Sequence, residues 1–164
     1  MKKSVISITI AIVALIAAAG AYYYYSRPSV STPTPATPEE SQQIRATVTE
    51  FGKKLQAVPL SADSDTAADA IQRNYAPYVS TALLAKWKND PSAAPGRLTS
   101  SPWPDRIEIS SVSKEGEEFY KVEGNVIEMT SEEVAHGGTA GSYPIVIELG
   151  KDHDSGAWVI TAVD

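Results

Sequence analysis

The residues in this chain best suited to chemistry are carboxylates near aromatic hydroxyls. Asp105, Glu123 and Glu128, together with Tyr120 or Tyr78, are the types an acid–base site needs. A carboxylate in an apolar pocket opposite a phenol lets the two pKa values separate, so one group holds a proton while the other accepts one. Glu123 and Glu128 lie in a stretch of alternating polarity, however, where an acid defaults to the outward face. Asp105 and Arg106 follow Pro102-Trp103-Pro104, in which two prolines fix the backbone around an aromatic. That corner reads in two ways: a rigid recognition rim, or a strand entry with Trp103 over the core edge and Asp105 bonding nearby amides.

Two other constellations carry only part of a chemistry. His136-Gly137-Gly138 resembles the opening of an oxyanion loop, but no G-x-S-x-G elbow accompanies it, so HGGTAGS reads as a flexible connection between strands. Asp152-His153-Asp154-Ser155-Gly156 offers oxygens at alternate positions, yet it lacks the third Asp/Asn and the distal Glu of a calcium loop and reads as a solvated turn. Glu117-Glu118 and Glu132-Glu133 read as solvated charge beside turns. With no cysteine there is neither a thiolate metal site nor a disulfide, and no metal or cofactor is expected.

These residues depend on elements that can be read from periodicity. Thr37-Pro38-Glu39-Glu40 has the form of a capping box with proline at the first helical position. Ile44, Val48, Phe51, Leu55 and Val58 then recur at spacings of 4 and 3, which predicts one helix that Pro59 stops. A second helix is expected from Ser64 or Asp65, with Ala67, Ala68, Ile71 and Tyr75 on one side, and a third from Ser80 or Thr81 to about Asn89, carrying Leu83, Leu84 and Trp87. After a proline-rich connection from Pro91 to Asp105 the period becomes two. Strands are predicted at Arg106 to Val112, Glu118 to Met129 with Gly124 as a bulge, Tyr143 to Leu149, and Ala157 to Val163 with Trp158, Ile160 and Ala162 on one face. The fold class is α+β, with N-terminal helices packed on a curved antiparallel sheet of about four strands.

The N-terminal part has a different character. Val5 to Tyr25 is uncharged and about 30 Å long as a helix, enough for one membrane span, with Tyr22 to Tyr25 as an interfacial belt. Lys2 and Lys3 place the N-terminus on the cytoplasmic side, so the rest is extracytoplasmic; Ala19-Gly20-Ala21 leaves open the alternative of a cleaved signal peptide and a secreted protein. The expected organisation is an anchor at 1–27, a Ser/Thr/Pro stalk at 28–38 and one folded domain at 39–164. Lys2, Lys3 and Arg27 are the only charges before Glu39, so removing these three from 14 basic residues leaves 11 against 20 acidic ones, a net of −9 on the domain. Such a charge repels a phosphate backbone, and nucleic acid is not an expected partner.

The order of elements, an amphipathic helix, a short helix, a Tyr/Trp-bearing helix and then four strands closing on WVITAV, resembles the NTF2-like superfamily with its cystatin-like cone of sheet around helix, over about 44–164. The stretches SSPWPDRIEI, VEGNVIEMTS and YPIVIEL look like uncharacterised membrane-anchored proteins of Gram-positive bacteria. The resemblance implies a pocket between helices and concave sheet, used by different members for isomerisation, dehydration, ligand binding or protein docking. It places Tyr78, Trp87, Trp103, Tyr120 and Trp158 near the mouth or interior of the cone, with Asp105 and Arg106 on the rim, although ordinary core packing explains the aromatics as well. The expected function is non-catalytic: a membrane-tethered module that docks an envelope protein or a small apolar ligand, or self-associates through the sheet. The alternative is a lyase or isomerase using a pocket carboxylate.

Overall fold

Helix α1 (Pro38–Gly52) begins at the proline that the capping pattern indicated and carries Glu39 and Glu40 in its first turn, where carboxylates suit the helix dipole. The computed structural model describes residues 34–35 and 38–164. Thr37, the expected capping partner, the apolar run Val5 to Tyr25 and most of the stalk therefore lie outside the described residues. Among those described, no helix is long and apolar enough to cross a membrane.

The first helix is shorter than its apolar stripe. α1 stops at Gly52, and Leu55–Ala57 forms a single 3₁₀ turn, so the helix expected to run on to Val58 is broken. At that point the chain runs so close to Ile107 that a Cβ at position 52 would lie 2.8 Å from its backbone nitrogen, so only glycine fits. Ile44, Val48, Phe51, Leu55 and Val58 are nevertheless all fully buried, because the tighter turn keeps the stripe facing the sheet. Helix α2 (Ser64–Tyr75) starts at Ser64 as expected and is capped by Asp63, whose side chain accepts from the Thr66 amide at 3.0 Å. Helix α3 (Thr81–Asn89) is capped by Ser80, as read from the sequence. Leu83 and Trp87 are buried.

The sheet runs in the order β1 (Thr34–Pro35), β2 (Trp103–Lys114), β3 (Phe119–Met129), β4 (Gly141–Lys151) and β5 (Trp158–Val163), with every neighbouring pair antiparallel. Four strands are long. β1 is two residues of the expected stalk, paired with Ser113 and Lys114. β2 starts earlier than expected and takes in Pro104, which lies at the end of the strand that β1 does not pair. Tyr120, Val122, Val126, Ile145, Ile147, Leu149 and Ile160 join the helix stripes in one apolar cluster.

The irregularities fall on partners of the residues expected to carry them. Gly124 pairs regularly with Ile109 and Ile145, while the shift lies across from it, between Ile109 and Ser111 on β2. Gly124 is required because a Cβ there would meet the Glu108 carbonyl oxygen at 2.5 Å. A further shift between Pro104 and Arg106 makes Asp105 an extra residue of β2. On β5 the register skips Thr161, which brings Val163, rather than Ala162, against the core. The β3–β4 connection, expected as an irregular loop, holds helix α4 (Ser131–His136), closed by a capping box between Thr130 and Glu133. Glu133 is thus a cap rather than idle solvated charge, and the Thr130 hydroxyl and amide hold its carboxyl below the usual range.

Two outcomes follow. Gly124→Ala should lower unfolding stability by about 2 kcal/mol in urea melts, since backbone and not a movable side chain blocks the methyl. Asp63→Ala should lower the urea midpoint through loss of the α2 cap, read in the same melts.

Candidate functional site

Aromatic residues separate into two groups rather than gathering at one mouth. Phe51, Tyr75 and Trp87 form the first, with ring centroids 4.9 Å apart for Phe51–Tyr75, 5.7 Å for Tyr75–Trp87 and 6.3 Å for Phe51–Trp87. This group sits in the core between α1, α2 and α3. The Tyr75 hydroxyl donates to the Pro95 carbonyl at 2.6 Å, and burial pushes its pKa far above the ordinary phenol value. Tyr120 and Trp158 form the second group, edge to face at 4.9 Å. Trp103 belongs to neither; it is half-buried at the far end of the β2–β3 ladder, opposite Met129.

Tyr120 ties three elements together. Its ring is buried, and its hydroxyl donates to the Glu40 carboxylate at 2.6 Å, while Lys114 lies 3.5 Å from the same carboxylate and over the ring at 5.5 Å from the centroid. Helix α1 is thus pinned by its first turn to β3 and to the end of β2. Burial raises the Tyr120 phenol, with the bond to Glu40 adding to the effect. The capping-box pattern pointed to Glu40, but nothing in the sequence signalled its bond to a tyrosine 80 positions away.

The acids of an acid–base site do not converge. Asp105 and Glu108 flank Arg106, whose guanidinium reaches them at 2.9 and 2.7 Å. These bonds, that with Asp105 foremost, raise the Arg106 pKa. Asp105 is therefore bonded to its neighbour's side chain rather than to amides. Glu123 is exposed, 2.8 Å from Lys121 and accepting from Ser111 at 3.2 Å, contacts that hold its carboxyl low. Glu128 alone alternates in register with the inward residues Val122 and Val126, and it lies near Tyr143, whose phenol is raised by burial and by the Glu128 charge. No charged or polar side chain is buried among the described residues. Nor do three or more His, Asp or Glu among them group to hold a metal ion. Asp152 closes its turn by accepting from the Ser155 hydroxyl at 2.7 Å and amide at 2.8 Å.

Concavities lie on the outside of the domain. One, of about 490 Å³, is lined by Glu115, Phe119, Tyr120, Lys121 and Glu148. Another, of about 240 Å³, runs between α3 and β5 past Lys86, Trp87 and Ala162. The third, of about 430 Å³, has Gln43, Ala46, Thr47 and Glu50 of α1 on one side and Pro77, Tyr78, Ala157 and Trp158 on the other. Of the expected residues, Tyr78 and Trp158 share this groove. Gln43, Thr47 and Glu50 were not singled out in advance, although they repeat at spacings of 4 and 3 on the face beside the buried stripe. Compared with known proteins, the chain matches no family model and no curated sequence.

The Glu40–Tyr120 tie predicts that Tyr120→Phe lowers stability by about 1–2 kcal/mol in denaturant melts, because a bond to a charged acceptor is lost while the ring remains. The lowered carboxylates Asp63, Glu123, Glu133 and Asp152 set the pH response. Their folded pKa values lie below the unfolded ones, so their stabilisation is complete above the ordinary carboxylate range. It fades as pH falls from about 5 through the folded values, and melts from pH 7 to pH 3 should show stability declining over that window.

Proposed function

We propose that this chain is a non-catalytic docking module of NTF2-like form, tethered to the cell membrane by its N-terminal segment with the domain on the extracytoplasmic side. One observation carries the reading: the layer between helices and sheet is occupied by a continuous apolar cluster with no charged side chain buried in it, among the described residues. Substrate chemistry inside a cone needs an open interior holding a carboxylate, whereas docking needs only surface relief. The grooves at Tyr78–Trp158 and at Trp87–Ala162 supply that relief. The acidic domain and the span-like apolar run support an envelope protein as partner rather than nucleic acid.

A lyase or isomerase is the second reading. What favours it is the carboxylate of Glu128 beside Tyr143, the two types that proton transfer requires.

Photo-crosslinking in intact cells separates the two. With p-benzoyl-L-phenylalanine at Gln43, at Lys86 and, as a control on a turn, at Glu117, a discrete protein adduct should form from a groove position and not from Glu117. Glu128→Gln should leave that adduct unchanged. Absence of an adduct from both groove positions would count against docking, and loss of a cellular phenotype in Glu128→Gln at unchanged protein level would favour the enzyme.

A further inference from the structure

We propose that the outer edge of β5 beyond Ile160, in the groove beside α3, takes an extended segment of a partner protein as an added strand, with an acidic side chain of that segment on Lys86. The inference rests on the docking reading in treating this groove as a binding surface, and it adds how the partner is held and what charge it carries.

Backbone pairing locates the open part of the edge. Tyr78 to Ser80 lies along β5 as a short parallel stretch with Val79 opposite Ile160. The Ile160 amide donates to the Tyr78 carbonyl, and the Ser80 amide donates to the Ile160 carbonyl, both at 2.8 Å. Ser80 is also the cap of α3, so the chain turns off the edge at that point. On β5 the register then skips Thr161, and Val163 is the next residue directed outward. Its direction follows from its neighbour. Asp164 and Val146 exchange both backbone bonds at 2.9 Å, and in an antiparallel ladder the residue beside such a pair turns its own N–H and C=O away from the partner strand. Neither group of Val163 meets a hydrogen-bond partner among the described residues. Val163 lines the groove between α3 and β5, so that groove, of about 240 Å³, contains an open rung of the ladder. Its volume is below the ~300–1,000 Å³ of sites that enclose a small organic ligand, whereas an added strand needs room only for alternate side chains.

Side chains specify the rest. The α3 wall consists of Ala82, Leu83, Lys86 and Trp87, whose spacing places them on one face of the helix, and Ala93 and Ala162 extend the apolar lining. Lys86 is the one cation in that lining; it is exposed and makes no hydrogen bond or ion pair with a described residue. Helix α3 holds no acid, and its second lysine, Lys88, donates to the uncharged Gln72 amide oxygen at 2.8 Å. Asp164, the one acid in the lining, forms no ion pair with Lys86. An unpaired ammonium beside an open strand edge complements a carboxylate on the incoming segment. Because side chains alternate along a strand, an aliphatic residue against Leu83 and Trp87 and an acid on Lys86 stand two positions apart in that segment. A second copy pairing through the same edge about a two-fold axis would bring two positively charged α3 helices together, which disfavours it as the occupant.

The test titrates the full chain, 15N-labelled in dodecylmaltoside micelles, with the acetylated and amidated pentapeptide Ser-Val-Thr-Glu-Thr and follows the amide resonances. A saturable shift centred on Val163 and on the Lys86 turn of α3 is expected, half-complete at about 1 mM or below. Replacing the peptide's glutamate by lysine should weaken binding about threefold or more, and Lys86→Glu should reverse that preference. Val163→Pro removes the outward N–H, a loss that an edge position tolerates, and should weaken binding of the glutamate peptide about threefold or more. The remaining resonances report whether that variant is folded, and the reversal by Lys86→Glu tests the site with the edge unaltered if the proline disturbs β5. Absence of saturation, shifts centred elsewhere, the same preference from Lys86→Glu as from the native chain, or undiminished binding by a folded Val163→Pro would overturn the proposal. Resonances at Val163 that move with chain concentration in the absence of peptide would assign the edge to a second copy and overturn it equally. If the peptide fails while a probe at Gln43 still forms its adduct in cells, strand addition at β5 is lost and the docking reading stands.

Discussion

The fold depends on how closely α1 approaches β2. At Gly52 no Cβ fits, because the backbone nitrogen of Ile107 would lie 2.8 Å from it. The helix ends there, a 3₁₀ turn follows at Leu55–Ala57, and Phe51 and Leu55 pack into the apolar cluster with the sheet. At the other end of α1, the bond from Tyr120 to Glu40 fixes the first turn against β3. A helix clamped at both ends leaves little freedom for the layer between it and the sheet, and close-packed apolar side chains fill that layer.

This packing bears directly on function. A pocket inside the fold would need some of Phe51, Tyr75 and Trp87 to be small or absent, and each is large and buried. The relief that remains lies on the surface, where α1 and α3 meet the last strand and its neighbouring turn. On its outer edge β5 is tied at Ile160, whose amide donates to the Tyr78 carbonyl and whose carbonyl accepts from the Ser80 amide. Tyr78 is therefore held by the backbone of the strand whose first residue, Trp158, shares its groove. Rigid aromatic contacts on fixed elements favour recognition of a shaped partner over adaptation to many.

Charge is arranged in keeping with a surface role. Arg106 between Asp105 and Glu108, Lys121 beside Glu123 and Lys53 beside Glu50 are all solvent-accessible pairs, which contribute little to stability individually but set the sign pattern of the surface. Glu40 differs, since it accepts from the hydroxyl of a buried tyrosine, and its loss would be felt in how α1 packs on the sheet.

Much of the architecture was legible in the sequence, because apolar periodicity reports which face of each element is buried. The stripe from Ile44 to Val58, the caps near Ser64 and Ser80, and the alternation through Ile145, Ile147 and Leu149 all yield the α+β arrangement of helices on an antiparallel sheet. Local chemistry also marked the Asp152 turn, whose side chain bonds within its own few residues. Periodicity could not report what arises between distant segments. The break in α1 at Gly52, the bulge opposite Gly124 and the bond from Tyr120 to Glu40 each depend on a backbone or side chain more than 15 residues away. The grouping of Tyr78 with Trp158, and not with Trp87 or Trp103, was set by strand register and by the bridge from Val79 to Ile160. Sequence alone thus determined the inward face of most elements, a property of each element by itself; only the tertiary structure decided which inward and rim residues meet, and turned Val163 rather than Ala162 to the core on β5, because these follow from register and packing.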